Sequence, residues 1–190
     1  MIVYLHGFNS SPASHKAQVL QRYMEALGLA TRYACPALPP WPLQAIAAAE
    51  AAMAGHAPEA VCFVGSSLGG FYATHLVEKH AARAVLINPA IDPQLGLRGY
   101  LGPQKNLHTG EPYELTEAHL RQWEALGVPR ITPRRYLLIV ETGDEVLDYR
   151  KALARYREAE RIVIEGGDHS LRSFPQHLAR ILAFAGLAPA

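Results

Sequence analysis

Six short runs of apolar residues, rich in Val, Ile and Tyr, constrain the fold of this chain more than any other feature. The runs are nearly continuous rather than alternating, as expected for strands of a parallel sheet that is covered on both faces. They lie at residues 2–5, 31–34, 60–64, 83–87, 136–140 and 161–164. We therefore predict six strands.

Stretches with the amphipathic spacing of helices separate these runs. They lie at residues 14–28, 42–55, 68–80, 146–157 and 175–186. The alternation of strand and helix predicts right-handed crossovers and an α/β fold whose ligands bind at the carboxyl ends of the strands. A length of 190 residues suits one domain that spans residues 1–190.

One segment, residues 89–132, interrupts the alternation because repeated Pro and Gly residues break any long element there. It still carries many apolar side chains, and we expect the part from about 90 to 130 to form a short lid over the strand ends. Within it, Leu97, Tyr100 and Leu101 are expected to supply an acyl pocket. The alternative, that the apolar lid packs against the core, stays open.

Composition and charge exclude several classes of function. Eighteen Lys and Arg against seventeen Asp and Glu give a net charge of +1, which offers no field for gathering nucleic acid or anionic lipid. No apolar stretch is long enough to span a bilayer, and the first residues lack the basic and apolar regions of a signal peptide. We therefore expect a cytoplasmic protein that binds no nucleic acid and spans no membrane.

The segment Gly65-Ser66-Ser67-Leu68-Gly69 joins an apolar run to a helical stretch. It is a G-x-S-x-G motif between a predicted strand and a predicted helix, which is the context in which this motif carries a nucleophilic serine. Such a turn projects the hydroxyl of the central serine above the sheet, at a helix N-terminus whose N–H groups stabilise developing negative charge. The motif predicts that Ser67 is a nucleophile, and the alternative is an ordinary tight turn.

A nucleophilic serine needs a base and an orienting acid, which in this kind of fold follow in the order Ser, Asp or Glu, His. Among nine histidines, His169 alone lies in a Gly-rich segment after a strand and after a candidate acid. Asp144 is the favoured acid because a short carboxylate after a glycine reaches across a turn. It could instead only cap the next helix. Other carboxylates compete for the acid role: Glu141, Glu145, Asp148 and Asp168.

Acyl transfer also needs N–H donors that face the oxyanion of the tetrahedral intermediate. Leu68, directly after the nucleophile, would supply one backbone donor, and we expect Phe8, in the loop after the first strand, to supply the other. The His and Cys residues show no spacing typical of a metal site. We therefore expect no metal.

Together these motifs resemble the α/β-hydrolase superfamily, and more closely the YqiA-type (UPF0227) family of small bacterial esterases. The resemblance rests on Tyr4–Pro12 followed by Ser14 and Lys16, on Gly65–Ala73, on Leu86–Ala90 and on Gly167–His169. It implies a minimal α/β-hydrolase fold with about six mainly parallel strands, flanked by helices. It also implies an esterase without a cofactor that acts on small acyl esters and, as a further candidate, acyl-CoA thioesters. Carried over to this chain, the nucleophile is Ser67, the acid Asp144 and the base His169.

Three hypotheses from other classes stay open on the sequence alone. The fold could host a non-catalytic ligand-binding protein, although a binding protein has no need of a complete triad. The triad could serve an amidase or a peptidase, which predicts amide turnover comparable to ester turnover. The insertion could bind a partner protein, which predicts that Ser67→Ala leaves the cellular role intact.

Overall fold

A computed structural model describes residues 1–187 of the chain. Its strands are β1 (Ile2–Leu5), β2 (Tyr33–Ala34), β3 (Cys62–Ser66), β4 (Arg83–Ile87), β5 (Gly102–Lys105), β6 (Pro112–Leu115), β7 (Tyr136–Glu141) and β8 (Glu160–Ile164). Six of these form one parallel sheet in the order β2-β1-β3-β4-β7-β8. Strands β5 and β6 pair with each other as a separate antiparallel hairpin.

Helices cover both faces of the large sheet. They are α1 (His15–Ala26), α2 (Pro42–Met53), α3 (Leu68–His80), α4 (Pro93–Gly96), α5 (Glu117–Ala125), α6 (Tyr149–Arg155) and α7 (Leu178–Phe184). Helices α1 and α7 pack on one face, and α2, α3 and α5 pack on the other. None of these helices has the length and apolar character needed to cross a membrane. The architecture is the α/β fold that the six apolar runs predict.

Strand β1 illustrates why a covered parallel sheet needs continuous apolar runs. Val3 and Leu5 face α2 and α3, whereas Ile2 and Tyr4 face α1 and α7. All four side chains are buried, so neither face of the strand meets water. Burial of each such side chain stabilises the fold by about 1.5–3 kcal/mol.

Several elements are shorter than their sequence patterns predict, three of them markedly. The helix predicted at 175–186 is only α7, because a 3-10 turn occupies Phe174–His177. The run at 31–34 forms only β2, because a 3-10 turn occupies Ala30–Arg32. The helix predicted at 146–157 is α6, which begins after Asp148, whose carboxylate accepts the N–H of Arg150 as an N-cap. The residues before Asp148 therefore form a loop at the carboxyl end of β7.

The insertion contains more regular structure than its Pro and Gly content suggests, namely α4, the β5–β6 hairpin and α5. Leu115, Leu120 and Trp123 are buried in the core, and the Trp123 indole N–H donates to the Tyr72 hydroxyl at 2.8 Å. This later part packs against the core, as the alternative hypothesis proposed. The earlier part, within residues 90–108, lines a cleft at the carboxyl ends of the strands.

Candidate active site

Ser67 occupies the turn between β3 and α3 with a φ of 55°, a left-handed conformation that a serine adopts only at a cost in strain. The chain turns so tightly here that only glycine fits two residues before and two residues after Ser67. A Cβ atom on Gly69 would overlap the carbonyl oxygen of Leu5, and one on Gly65 would overlap the carbonyl of Gly69. This is the geometry that the G-x-S-x-G motif predicts.

Ser67, His169 and Asp144 form a continuous chain of hydrogen bonds. The Ser67 hydroxyl and His169 Nε2 are 3.1 Å apart, and His169 Nδ1 lies 2.8 Å and 3.0 Å from the two carboxylate oxygens of Asp144. An ionised carboxylate only accepts hydrogen bonds, so Nδ1–H donates to Asp144 and leaves Nε2 to accept from the serine. The imidazole is therefore oriented to take a proton from Ser67.

The Asp144 carboxylate is held in its ionised form. Its side chain is 1% exposed, and burial by itself would raise its pKa. The bond from His169 and the N–H groups of Leu147 and Val146, at 2.8 Å and 2.9 Å, outweigh burial and keep the pKa of Asp144 below its usual range. These bonds also close a turn that aims the carboxylate at the imidazole.

Two of the competing acids contact the backbone of the His169 loop instead of the imidazole. Glu145 accepts the N–H of His169 at 2.9 Å, and buried Glu141 accepts the N–H of Asp168 at 2.8 Å. Neither is bonded to a ring nitrogen of His169.

The remaining candidates are also engaged elsewhere. Asp148 caps α6, and Asp168 forms an ion pair with Arg172 at 2.6 Å. Because Asp148 fills the cap position, the alternative that Asp144 merely caps this helix does not apply. Among these carboxylates, Asp144 is the one bonded to the imidazole.

The loop after β1 lies directly against Ser67. A Cβ atom on Gly7 would be 3.3 Å from the Cβ of Ser67, so the next residue, Phe8, is brought close to the serine. The backbone N–H groups of Phe8 and Leu68 donate to no acceptor within residues 1–187. Both residues line the cleft, so both amides are free to face a ligand there.

His6 anchors this loop, and its two ring nitrogens are bonded to backbone groups rather than to Ser67. The Leu38 N–H donates to His6 Nε2 at 3.0 Å, so Nδ1 carries the proton and donates to the Gly7 carbonyl at 3.1 Å. Burial lowers the pKa of His6, which favours this neutral form. His6 therefore fixes the backbone that precedes Phe8.

The same loop contacts the hairpin of the insertion, which the sequence did not predict. The Tyr113 hydroxyl donates to the Asn9 side chain at 2.6 Å, and the Leu107 N–H donates to the Asn9 carbonyl at 2.9 Å. Asn106 Nδ2 donates to the Ser10 carbonyl at 2.8 Å. The insertion thus braces the loop that carries Phe8.

The cleft above Ser67 has a volume of about 700 Å³. Of the three residues expected to form the acyl pocket, Leu97 and Tyr100 line it, and Leu101 does not. Tyr100 also contacts Phe8 edge to face, with ring centroids 6.2 Å apart. Other apolar residues in the lining are Ile91, Leu95, Leu107, Val146 and Leu147. Leu101 directly follows the 3-10 turn Leu97–Tyr100 and lies outside the cleft.

Within the part of the chain that the structure describes, no group of three or more His, Cys, Asp or Glu residues is placed to hold a metal ion. The site thus consists of a serine, an imidazole, a carboxylate and backbone amides. Such a set can carry out nucleophilic acyl transfer.

Solved structures similar to this chain have the α/β-hydrolase fold. A protein of Agrobacterium vitis S4 superposes with a TM-score of 0.75 at 21% identity, over 99% of this chain and 87% of that one. Mouse alpha/beta hydrolase domain-containing protein 10 gives a TM-score of 0.73 at 16% identity, over 98% and 88%. The esterase domain of a Rhodothermus marinus protein gives 0.69 at 19% identity, over 97% and 85%.

Sequence comparison identifies relatives of nearly the same length. A UPF0227 protein of Yersinia enterocolitica is 27% identical over 196 residues, which cover 98% of this chain and 99% of that protein. A UPF0227 protein of Pectobacterium atrosepticum is 27% identical over 197 residues, with the same coverage. The uncharacterised protein family UPF0227 matches residues 1–186. The chain therefore belongs to the UPF0227 family and has the α/β-hydrolase fold.

Proposed function

We propose that this protein is a serine hydrolase that cleaves small carboxylic acyl esters through an acyl-enzyme intermediate. The observation that carries the proposal is the hydrogen-bonded chain from Ser67 through His169 to Asp144, at the floor of a largely apolar cleft. A ligand-binding protein would gain nothing from a strained serine aligned with an imidazole and a carboxylate.

The reaction has two matching halves. The Ser67 oxygen attacks the ester carbonyl while His169 Nε2 takes its proton, and the Phe8 and Leu68 amides donate to the oxyanion. The intermediate collapses, the bond to the leaving oxygen breaks, and His169 returns the proton to that oxygen. Water then attacks the acyl-enzyme with the same base, which releases the acid and restores Ser67.

The lining of the cleft supports an ester with an apolar acyl group. Leu95, Leu97 and Tyr100 lie on the side of the insertion, where a hydrocarbon chain would lose its contact with water. The esterase domain of the Rhodothermus marinus protein shares the fold and agrees with this substrate class. Thioesters present the same carbonyl to Ser67, and acyl-CoA is therefore a second candidate substrate.

The test is hydrolysis of p-nitrophenyl esters and acyl-CoA thioesters, each from acetyl to dodecanoyl, with p-nitroanilides as the amide series. Ser67→Ala should lower kcat on esters by about 10⁴-fold or more, because no other group supplies the nucleophile. Ser66→Ala, the adjacent serine, is the matched control and should retain most of the activity. Equal activity of the wild type and Ser67→Ala would contradict the proposal. Amide turnover as fast as ester turnover would replace the esterase by an amidase.

A further inference from the structure

Asn88, directly after β4, links the loops that carry the triad without touching the reacting atoms. It is buried and adopts a φ of 40°. Its Oδ1 accepts the N–H of Glu141 at 3.0 Å, and its Nδ2 donates to the carbonyls of Asp168 and His169, each at 3.2 Å. One side-chain amide therefore joins the end of β7 to the loop of the base.

The backbone on either side of Asn88 holds the nucleophile. The Ser67 N–H donates to the Ile87 carbonyl at 3.0 Å, and the Ala90 N–H donates to the Ser67 carbonyl at 3.0 Å. Residues 87–90 thus fix the backbone of Ser67, while the side chain of Asn88 fixes the backbone of His169. The separation of the serine and the imidazole is set from one short segment.

Glu141, the last residue of β7, is buried and supports the loop that carries His169. Its Oε2 accepts the N–H of Asp168 at 2.8 Å, and its Oε1 accepts the hydroxyl and the N–H of Ser173 at 2.5 Å and 3.3 Å. Gly167, with a φ of 73°, lies so close that a Cβ atom there would overlap the Glu141 carboxylate. The Glu141 carboxylate therefore holds the loop both at Asp168, before His169, and at Ser173, after it.

We propose that Asn88 and Glu141 are positioning residues that hold His169 in line between Ser67 and Asp144; this inference rests on the proposed function. The residue types fit the task. An amide both donates and accepts, as the position of Asn88 requires, and Asn tolerates a positive φ better than most residues. A carboxylate only accepts, and every bonded group around Glu141 is a donor.

The sharpest variant is Asn88→Asp, which keeps the size, the acceptor and the tolerance of positive φ but loses the two bonds to the His169 loop. Glu141→Gln is the second variant, because its NH₂ group would face a donor. Each should lower kcat on the best ester by about 10- to 100-fold, with KM within about threefold of wild type, as expected for a displaced catalytic group. The far-downfield proton resonance of His169 Nδ1–H should shift or broaden in both.

Thr74→Val is the matched control, because Thr74 is also a buried, hydrogen-bonded side chain. Its hydroxyl bonds to the Gly70 carbonyl and the Tyr156 hydroxyl, and not to the end of β7 or the His169 loop. It should leave kcat and the His169 resonance near wild type at a temperature where circular dichroism shows every variant folded. If either Asn88→Asp or Glu141→Gln fails to fold, the other variant tests the inference. Ser173→Ala, which removes a single bond to Glu141, provides a milder change that should lower kcat by about two- to fivefold.

Folded variants with wild-type kcat would overturn the inference, and so would a lower kcat with an unshifted His169 resonance. An inactive wild type would instead refute the proposed function. The resonance of His169 would still report whether Asn88 and Glu141 set its position, because that measurement needs no substrate.

Discussion

The two walls of the cleft are built in different ways. On the wall formed by the strand ends, partly buried hydrogen bonds hold the backbone and side chains around Ser67, Asp144 and His169. On the wall formed by the insertion, large apolar side chains remain in contact with water. The exposed fraction is 65% for Leu95 and 82% for Leu107.

This difference separates the chemistry from the fit of the substrate. A buried polar group that loses its partner costs about 1–3 kcal/mol, so the strand-end wall has one favoured arrangement. Exposed apolar side chains lose no hydrogen bond when they move, so under the proposed function we expect the insertion wall to adapt to acyl chains of different length. We therefore expect substitutions in the strand-end wall to change kcat or folding, and substitutions in the insertion wall to change KM and chain-length preference.

The largest expected effect in the strand-end wall, after loss of the nucleophile, is that of Asp144→Asn. An amide can present NH₂ to His169 and hold the wrong tautomer, and kcat/KM should fall by about 10³- to 10⁴-fold. The exposed carboxylate of Asp148 provides the control, and Asp148→Asn should stay within about threefold of wild type. Ester hydrolysis measures both. Activity of Asp144→Asn close to wild type would assign the acid role elsewhere.

A second contrast uses one glycine from each wall. Gly69→Ala should destabilise the fold by about 3 kcal/mol or more, because its Cβ would meet the rigid Leu5 carbonyl. At Gly96, in α4, a Cβ atom meets nothing within 4 Å, and Gly96→Ala should change stability by at most about 1 kcal/mol. Urea unfolding measures both. Equal stability of the two variants would remove the distinction between the walls.

The smallest effect belongs to the insertion wall. Leu97→Ala should raise KM for long-chain esters by about three- to tenfold and leave KM for acetyl esters unchanged, because it removes apolar contact from the cleft. Leu101→Ala is the control, since Leu101 does not line the cleft. Initial rates over the ester series measure both. A fall in kcat on acetyl esters in Leu97→Ala would show that the insertion also positions the reacting groups.

The parts that the sequence predicts well are those where local pattern and burial agree. Buried central strands need continuous apolar runs. Such runs occur at Ala84–Ile87 and Leu137–Val140, and both form fully buried strands inside the sheet. The G-x-S-x-G motif locates the turn because the two glycines are required by contacts within the motif and with β1. Helix α3 accordingly begins and ends where the sequence predicts.

The insertion was harder to predict because contacts distant in sequence decide its structure. Gly102–Lys105 and Pro112–Leu115 are short and each contains a proline, which argues against a strand, yet they pair in a hairpin that contacts Asn9. In the sequence, Asn88 appeared only within Leu86–Ala90, one of the segments that carry the family resemblance. Its bonds to the Asp168 and His169 carbonyls exist only after the sheet has brought the loops together. Glu141 appeared as a competing acid, because its burial and partners cannot be read from the order of residues.

The central claim is that Ser67 is an activated nucleophile, and covalent labelling tests it most directly. Wild-type protein would be treated with a fluorophosphonate, digested and analysed by mass spectrometry, with Ser67→Ala and His169→Ala in parallel. We predict one adduct, on the peptide that contains Ser67, absent in Ser67→Ala and formed much more slowly in His169→Ala. No adduct on the folded wild type, or labelling at another serine, would contradict the account.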